Sequence, residues 1–190
     1  NLKMVMHTVN LCDYISIKEN NPAEISVKTN IPYLPCDERN ILVKTYNAFY
    51  SYTEIKPQGF DVYLEKNIPT CAGLGGGSSD AAAMLLFLNN YHNKPLKEKD
   101  LLIVGETLGA DVPFCIVGGT CLAEGIGEKL TKLKDLPKCH IVIAKPQNKG
   151  LSTQKIFSMV NLGDLCFHPD TSGIIKALDE GDLNGICKRM

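Results

Sequence analysis

Pro69-Thr70-Cys71-Ala72-Gly73-Leu74-Gly75-Gly76-Gly77-Ser78-Ser79-Asp80-Ala81-Ala82-Ala83 is the stretch from which the rest of the chain is read. Four glycines stand within five positions, followed by two hydroxyls, an acid and a run of helix formers. Glycine lets backbone N–H groups approach a ligand with no Cβ in the way, and it accepts positive φ where a turn needs it. Ala81 to Leu86 carry a helix, whose first N–H groups are unpaired and whose dipole is positive at that end. A glycine-rich loop running into a helix N-terminus is suited to an anion, phosphate above all. A plain strand-to-helix turn needs only one or two glycines, with Ser78 or Ser79 as the cap. The commoner phosphate templates do not fit. No lysine follows the glycines, and Ser78 occupies the place of the third glycine in G-x-G-x-x-G. The loop therefore predicts a nucleotide site of another type.

Length and composition frame this expectation. The 190 residues suit one domain or two small ones, with 44% hydrophobic and 22% charged residues, as in a folded protein. The net charge is −1, without a dense basic cluster, which argues against duplex nucleic acid or an anionic membrane as partner. No apolar run reaches the length of a membrane span, and the first residues lack a signal-peptide layout. The eight cysteines are scattered, mostly within apolar segments, and no C-x-x-C pair occurs. That spacing predicts free thiols, a reducing cytoplasmic setting and no zinc site.

Periodicity predicts strands over Met4–Leu11, Tyr14–Lys18, Glu24–Lys28, Phe60–Glu65, Thr120–Ala123 and His140–Ala144. It predicts helices over Asn40–Tyr52, Ser79–Asn90, Lys99–Leu108, Ser152–Val160, Gly173–Leu178 and Asp182–Met190. Strands and helices alternate without a regular rhythm, so the expected class is α+β. Pro146, Asn148 and Gly150 make a plausible hinge, dividing the chain into 1–145 and 146–190.

Asp111 lies between a helix stop at Gly109 and the turn at Pro113, among Ala110, Val112 and Phe114. On local sequence it reads equally as a brace of the turn or as a partly desolvated base. Gly118-Gly119 and Gly125-Ile126-Gly127-Glu128 read as hairpin turns. Lys66 suits either a nucleotide contact or a solvated charge at a strand end. His7 and His92 have no partners at metal-ligand spacing and read as structural.

Lys66 through Ala83, Leu108 to Phe114 and Gly125 to Glu128 together resemble the GHMP kinase superfamily, with Asn10-Leu11-Cys12-Asp13 and Arg39 to Val43 extending the likeness. Within it, Gly-Leu-Gly-Gly-Gly-Ser-Ser-Asp is similar to the branch acting on a cytidine-diphosphate methylerythritol in isoprenoid precursor biosynthesis. The resemblance implies a two-domain fold: an N-terminal domain like domain 2 of ribosomal protein S5 and part of a ferredoxin-like C-terminal domain. It implies transfer of the γ-phosphoryl of ATP, with Mg²⁺, to the 2-hydroxyl of that small-molecule substrate, by a monomer or a homodimer. By resemblance, Pro69, Ala72, Gly73, Leu74, Gly75, Gly76, Gly77, Ser78 and Ser79 hold the triphosphate, and Lys66, Asn40 and Ile41 line the adenine pocket. Asp111 becomes the catalytic base and a substrate ligand, with Thr153 and Phe157 near the cytidine. The family's Lys-Ile-Asn-Leu-type strand, its Gly-Tyr-His segment and its Gly-Ser-Gly-Pro-type loop are not in the chain, which is expected to be a portion of a longer enzyme. Two other functions compete: another small-molecule kinase of the superfamily, or a silent ATP-binding metabolite sensor. The presence of Asp111 weighs against the sensor.

Overall fold

The computed structural model describes residues 2–145, 158–159 and 169–190. They form two compact units, interleaved along the chain. One unit comprises Val9–Pro69 and Leu74–Val117. The other draws on Asn1–Thr8, Thr70–Gly73 and Gly118–Met190.

The first of these units is built on a three-stranded sheet, in the order β2 (Tyr14–Asn20), β4 (Gly59–Glu65), β3 (Ile25–Thr29). β4 is antiparallel to β2 and parallel to β3, so β3, α1 (Ile41–Thr53) and β4 make a crossover. Along β4 Phe60, Val62 and Leu64 are buried while Asp61, Tyr63 and Glu65 face solvent. This period of two places one face of the strand on the helices. α1 and α2 (Gly76–Tyr91) supply Leu42, Phe49, Met84, Leu85 and Leu88 to the same core, and α3 (Glu98–Leu108) adds Leu101 and Val104. α4 (Val112–Val117) completes the unit through Val112, which packs on Ala81 and Ala82 of α2.

Asn40 starts α1. Its side chain accepts from Leu42 N at 2.9 Å and donates to Pro35 O at 2.6 Å, and it is buried. Asn40→Ala removes the cap and leaves the half-buried Pro35 carbonyl without this donor, so it is expected to cost about 1–2 kcal/mol, readable as a lower urea midpoint at unchanged m. His92 is structural, as its sequence context predicts: its Nε2 shares a 2.8 Å hydrogen bond with Tyr50 Oη, and its ring stacks on Phe49. Burial lowers its pKa, which keeps the ring neutral.

The second unit has a sheet in the order β1 (Leu2–His7), β5 (Thr120–Gly125), β6 (Lys129–Lys132). α5 (Thr171–Glu180) and α6 (Leu183–Cys187) build its small core from Ile174, Ala177, Leu178 and Ile186. His7 is again structural, with Nδ1 2.6 Å from Thr120 Oγ1. The turn at Gly125-Ile126-Gly127 joins β5 to β6 as predicted, with positive φ at both glycines. β6 itself carries no apolar alternation, and only that hairpin signal pointed to it.

Several sequence expectations are corrected. The strand expected over Met4–Leu11 ends at His7. Its partner β5 begins at Thr120, and the last pairing beyond that is Thr8 N to Gly119 O. His140–Ala144 is not a strand: Ile141 and Val142 are exposed, and no neighbouring strand among the described residues takes up their backbone groups. Gly118-Gly119 is no hairpin but links α4 to β5. α4 was read as a turn because of Pro113, yet proline is tolerated in a first helical turn, where its missing N–H is not needed. The seven described cysteines are all free, with Cys121 buried, Cys115 half-buried and five exposed. The helix expected over Ser152–Val160 falls largely outside the described residues, and so does the hinge at Pro146, Asn148 and Gly150.

Candidate functional site

At the end of β4 the chain turns through Lys66-Asn67-Ile68-Pro69 into the glycine loop. Positive φ recurs at Cys71 (52°), Gly73 (69°) and Gly75 (64°). Gly75 is the residue before α2, and no side chain caps the helix there. The helix begins three residues earlier than its sequence suggests, so Gly76, Gly77 and Ser78 form its first turn. The first intrahelical bond is Ser79 N to Gly75 O at 2.8 Å, which leaves the N–H groups of Gly76, Gly77 and Ser78 without an intrahelical acceptor. Ser79 is not a cap: its hydroxyl donates back to Gly76 O at 2.9 Å. Three N–H groups and the positive end of a 16-residue helix thus converge on one point, open to an anion. Gly75 supplies the left-handed turn. Gly76 answers a different need, since a Cβ there would lie 2.9 Å from Ile68 Cγ2 and 3.1 Å from Lys66 Nζ.

Lys66 is not the solvated strand-end charge that its position suggested. Its ammonium is enclosed between two carboxylates, ion-paired to Asp13 and, at 2.9 Å, to Asp80. The three side chains are 5%, 2% and 4% exposed. Asp13 also accepts from Asn67 N at 2.6 Å and Ile68 N at 2.8 Å. Burial alone would raise the Asp13 carboxyl, but Lys66 and these two N–H groups outweigh it and hold the acid below its ordinary value. Burial dominates at Asp80 and pushes it up to about 7, against the pull of Lys66. Burial would lower Lys66, but its two acidic partners keep it above its ordinary value, so it stays charged. Sequence reasoning missed this triad. Asp80 and Asp13 both sit in quoted motifs, but 67 residues separate them and only the fold brings them together.

Asp111 is exposed, against the expected apolar surroundings. Val112, Pro113 and Phe114 turn inward and leave the carboxylate facing solvent at the start of α4. Its segment adjoins the glycine loop: a Cβ on Gly109 would be 4.0 Å from Ser78 Oγ. Cys115, one turn on, is pushed up to about 11, first by burial and then by the charges of Asp111 and Asp80. Asn40 is committed to its cap, and Ile41 packs partly buried against the core. Thr153 and Phe157 lie outside the described residues. Among the described residues no three His, Cys, Asp or Glu side chains gather as a metal site. No helix among them is long and apolar enough to cross a membrane.

Comparison with known proteins accords with this geometry. Residues 40–119 match the GHMP kinases N-terminal domain, a span that holds the glycine loop, the Lys66–Asp80 pair and Asp111. The whole chain is 42% identical, over 189 residues, to a Clostridium botulinum (strain Eklund 17B / Type B) protein named 4-diphosphocytidyl-2-C-methyl-D-erythritol kinase, and covers 66% of it. A Clostridium tetani protein of the same name is 42% identical over 191 residues, again with 66% covered. The chain thus spans just under two thirds of the length of these relatives. A crystal structure of 4-(cytidine 5′-diphospho)-2C-methyl-D-erythritol kinase superposes with a TM-score of 0.68 at 26% identity, over 95% of this chain and 63% of that one. The Methanococcus jannaschii mevalonate kinase shares the fold, with a TM-score of 0.66 at 17% identity, over 97% of this chain and 66% of that one. By sequence, by fold and by the loop that both place at the head of α2, the chain belongs to the GHMP kinases.

Proposed function

We propose that the protein transfers the γ-phosphoryl group of ATP to the 2-hydroxyl of 4-diphosphocytidyl-2-C-methyl-D-erythritol, as part of isoprenoid precursor biosynthesis in the cytoplasm. The observation that carries this reading is the 42% identity along the entire chain to relatives of that name. The uncapped head of α2 gives it a physical basis. Phosphoryl transfer depends on positioning and charge stabilisation more than on covalent help. The N–H groups of Gly76, Gly77 and Ser78 are fixed before the ligand arrives, so they stabilise phosphate charge without reorganising.

Asp111 takes the proton of the attacking hydroxyl. Its exposure leaves it reachable by a substrate alcohol, and Gly109 holds its segment against Ser78 of the loop. Mg²⁺ would neutralise charge on the phosphates. It is usually held through one or two oxygen ligands and the phosphates themselves, so a cage of protein carboxylates is not required. In this scheme Asn40 and Ile41 border the adenine, Pro69, Ala72, Gly73 and Leu74 flank the triphosphate, and Thr153 and Phe157 approach the cytidine. Residues 1–145 form the ATP-binding domain and 146–190 open a C-terminal one.

ADP release by the full-length protein with Mg-ATP and a panel of alcohols tests the proposal. Release with 4-diphosphocytidyl-2-C-methyl-D-erythritol, and not with homoserine or mevalonate, is expected. Release with a simple alcohol instead would assign the chain to another branch of the family.

A further inference from the structure

The buried Asp13–Lys66–Asp80 triad has no part in the chemistry proposed above, yet it lies directly beneath the phosphate loop. It joins three segments: the stretch before β2, the end of β4 and the second turn of α2. Gly76, the first residue of α2, sits on the Lys66 ammonium so closely that a Cβ would come within 3.1 Å of it. Asp80 is four residues further on, about 6 Å along the helix axis from Gly76. We propose that Lys66, clamped by Asp13 and Asp80, is a positioning residue that fixes the first turn of α2 and sets the charge that bound phosphates face.

The consequence follows from counting charges. With both acids ionised the triad carries −1, directed at the same helix end that receives the phosphates. With one proton bound it is neutral. Burial pushes Asp80 up to about 7 while Asp13 is held low, so Asp80 is the site of that proton near neutrality. Among the described residues the charges acting on Asp80 are Lys66 and Asp13. The Cys115 thiol faces it from α4 and stays neutral, with Asp111 acting on that thiol from the start of the helix. No charged group of α1, α3 or β2 contributes to its shift. Phosphate binding therefore favours the protonated triad, and nucleotide affinity rises as pH falls through the titration of Asp80. A unit charge about 10 Å away at an effective dielectric of about 25–50 changes affinity by roughly three- to tenfold.

This inference rests on the phosphate-loop reading, and titration calorimetry with ATP separates the two. The full-length protein is expected to bind ATP about three- to tenfold more tightly at pH 6 than at pH 8. ATP contributes its own titration, which every variant shares. Asp80→Asn mimics the protonated acid, so it should bind at pH 8 as tightly as the parent does at pH 6, retaining only the dependence due to ATP. Asp13→Asn leaves Lys66 to Asp80 alone and should move the parent's transition to lower pH. A fold of either variant that matches the parent by circular dichroism suffices to read the result. An unchanged pH slope in both variants would overturn the inference. No ATP binding by the parent at either pH would overturn the phosphate-loop reading beneath it.

Discussion

Asp111→Asn lowers turnover by about a hundred- to ten-thousand-fold while nucleotide affinity stays the same or improves. The size follows from what a positioned base contributes to the deprotonation of an alcohol. The asymmetry between turnover and binding follows from the structure. Asp111 is exposed at the start of α4, and its side chain supports no part of the core. The N–H groups of Gly76, Gly77 and Ser78 belong to α2 and remain in place without it. Asparagine has nearly the same shape, so the loop is undisturbed, and the loss of a negative charge near phosphates can only help an anion bind. Single-turnover kinetics with saturating Mg-ATP, beside a direct ATP binding measurement, separate the two terms. Turnover within a few-fold of the parent would remove Asp111 from the base role and leave it as a brace of the Gly109–Pro113 turn.

The parts of the molecule that were legible in the sequence are those in which chemistry is local. β4 was readable because Phe60, Val62 and Leu64 alternate with polar neighbours, and α1 because Asn40 precedes an apolar stripe and caps it. The glycine-rich turn before α2 was readable because glycine at positions such as Gly75 answers a backbone need within the loop itself. The helix start was misplaced by three residues because Gly76 and Gly77, poor helix formers, were assigned to the loop. In the fold their lack of a Cβ is what lets α2 settle onto Ile68 and Lys66. Where the meaning of a residue depends on distant partners, local reasoning failed. Lys66 suits either a nucleotide contact or a solvated charge because nothing beside it in sequence pairs with it, and Asp80, 14 residues away, reaches it only through the fold. His140–Ala144 failed in the opposite sense: its run of β-branched residues is that of a strand, but a strand also needs a neighbour.

Lys66→Met is expected to destabilise the fold by about 3–5 kcal/mol, a fall in Tm on the order of 10 °C. Methionine matches the length of the lysine stem, so the loss is electrostatic and leaves little cavity. What remains is a pair of carboxylates, 2% and 4% exposed, facing each other without a cation. Their pH dependence gives the mechanism away. An acid whose pKa is higher in the folded than in the unfolded state costs stability when it ionises, so that cost is absent below its unfolded value and grows as pH rises through the folded value. Asp80 stands at about 7 even with Lys66 present. Without the ammonium it moves further up, and the deficit of the variant is therefore smaller at pH 5 than at pH 8. Adding Asp13→Asn and Asp80→Asn to Lys66→Met removes both stranded charges and should restore most of the lost stability, since replacing a whole buried ion cluster is far milder than breaking it. Urea titrations of the parent, Lys66→Met and the triple variant at both pH values measure all of these terms. A Lys66→Met deficit that does not change with pH, or a triple variant no more stable than the single one, would mean that the lysine acts through packing beneath Gly76 and not through its charge.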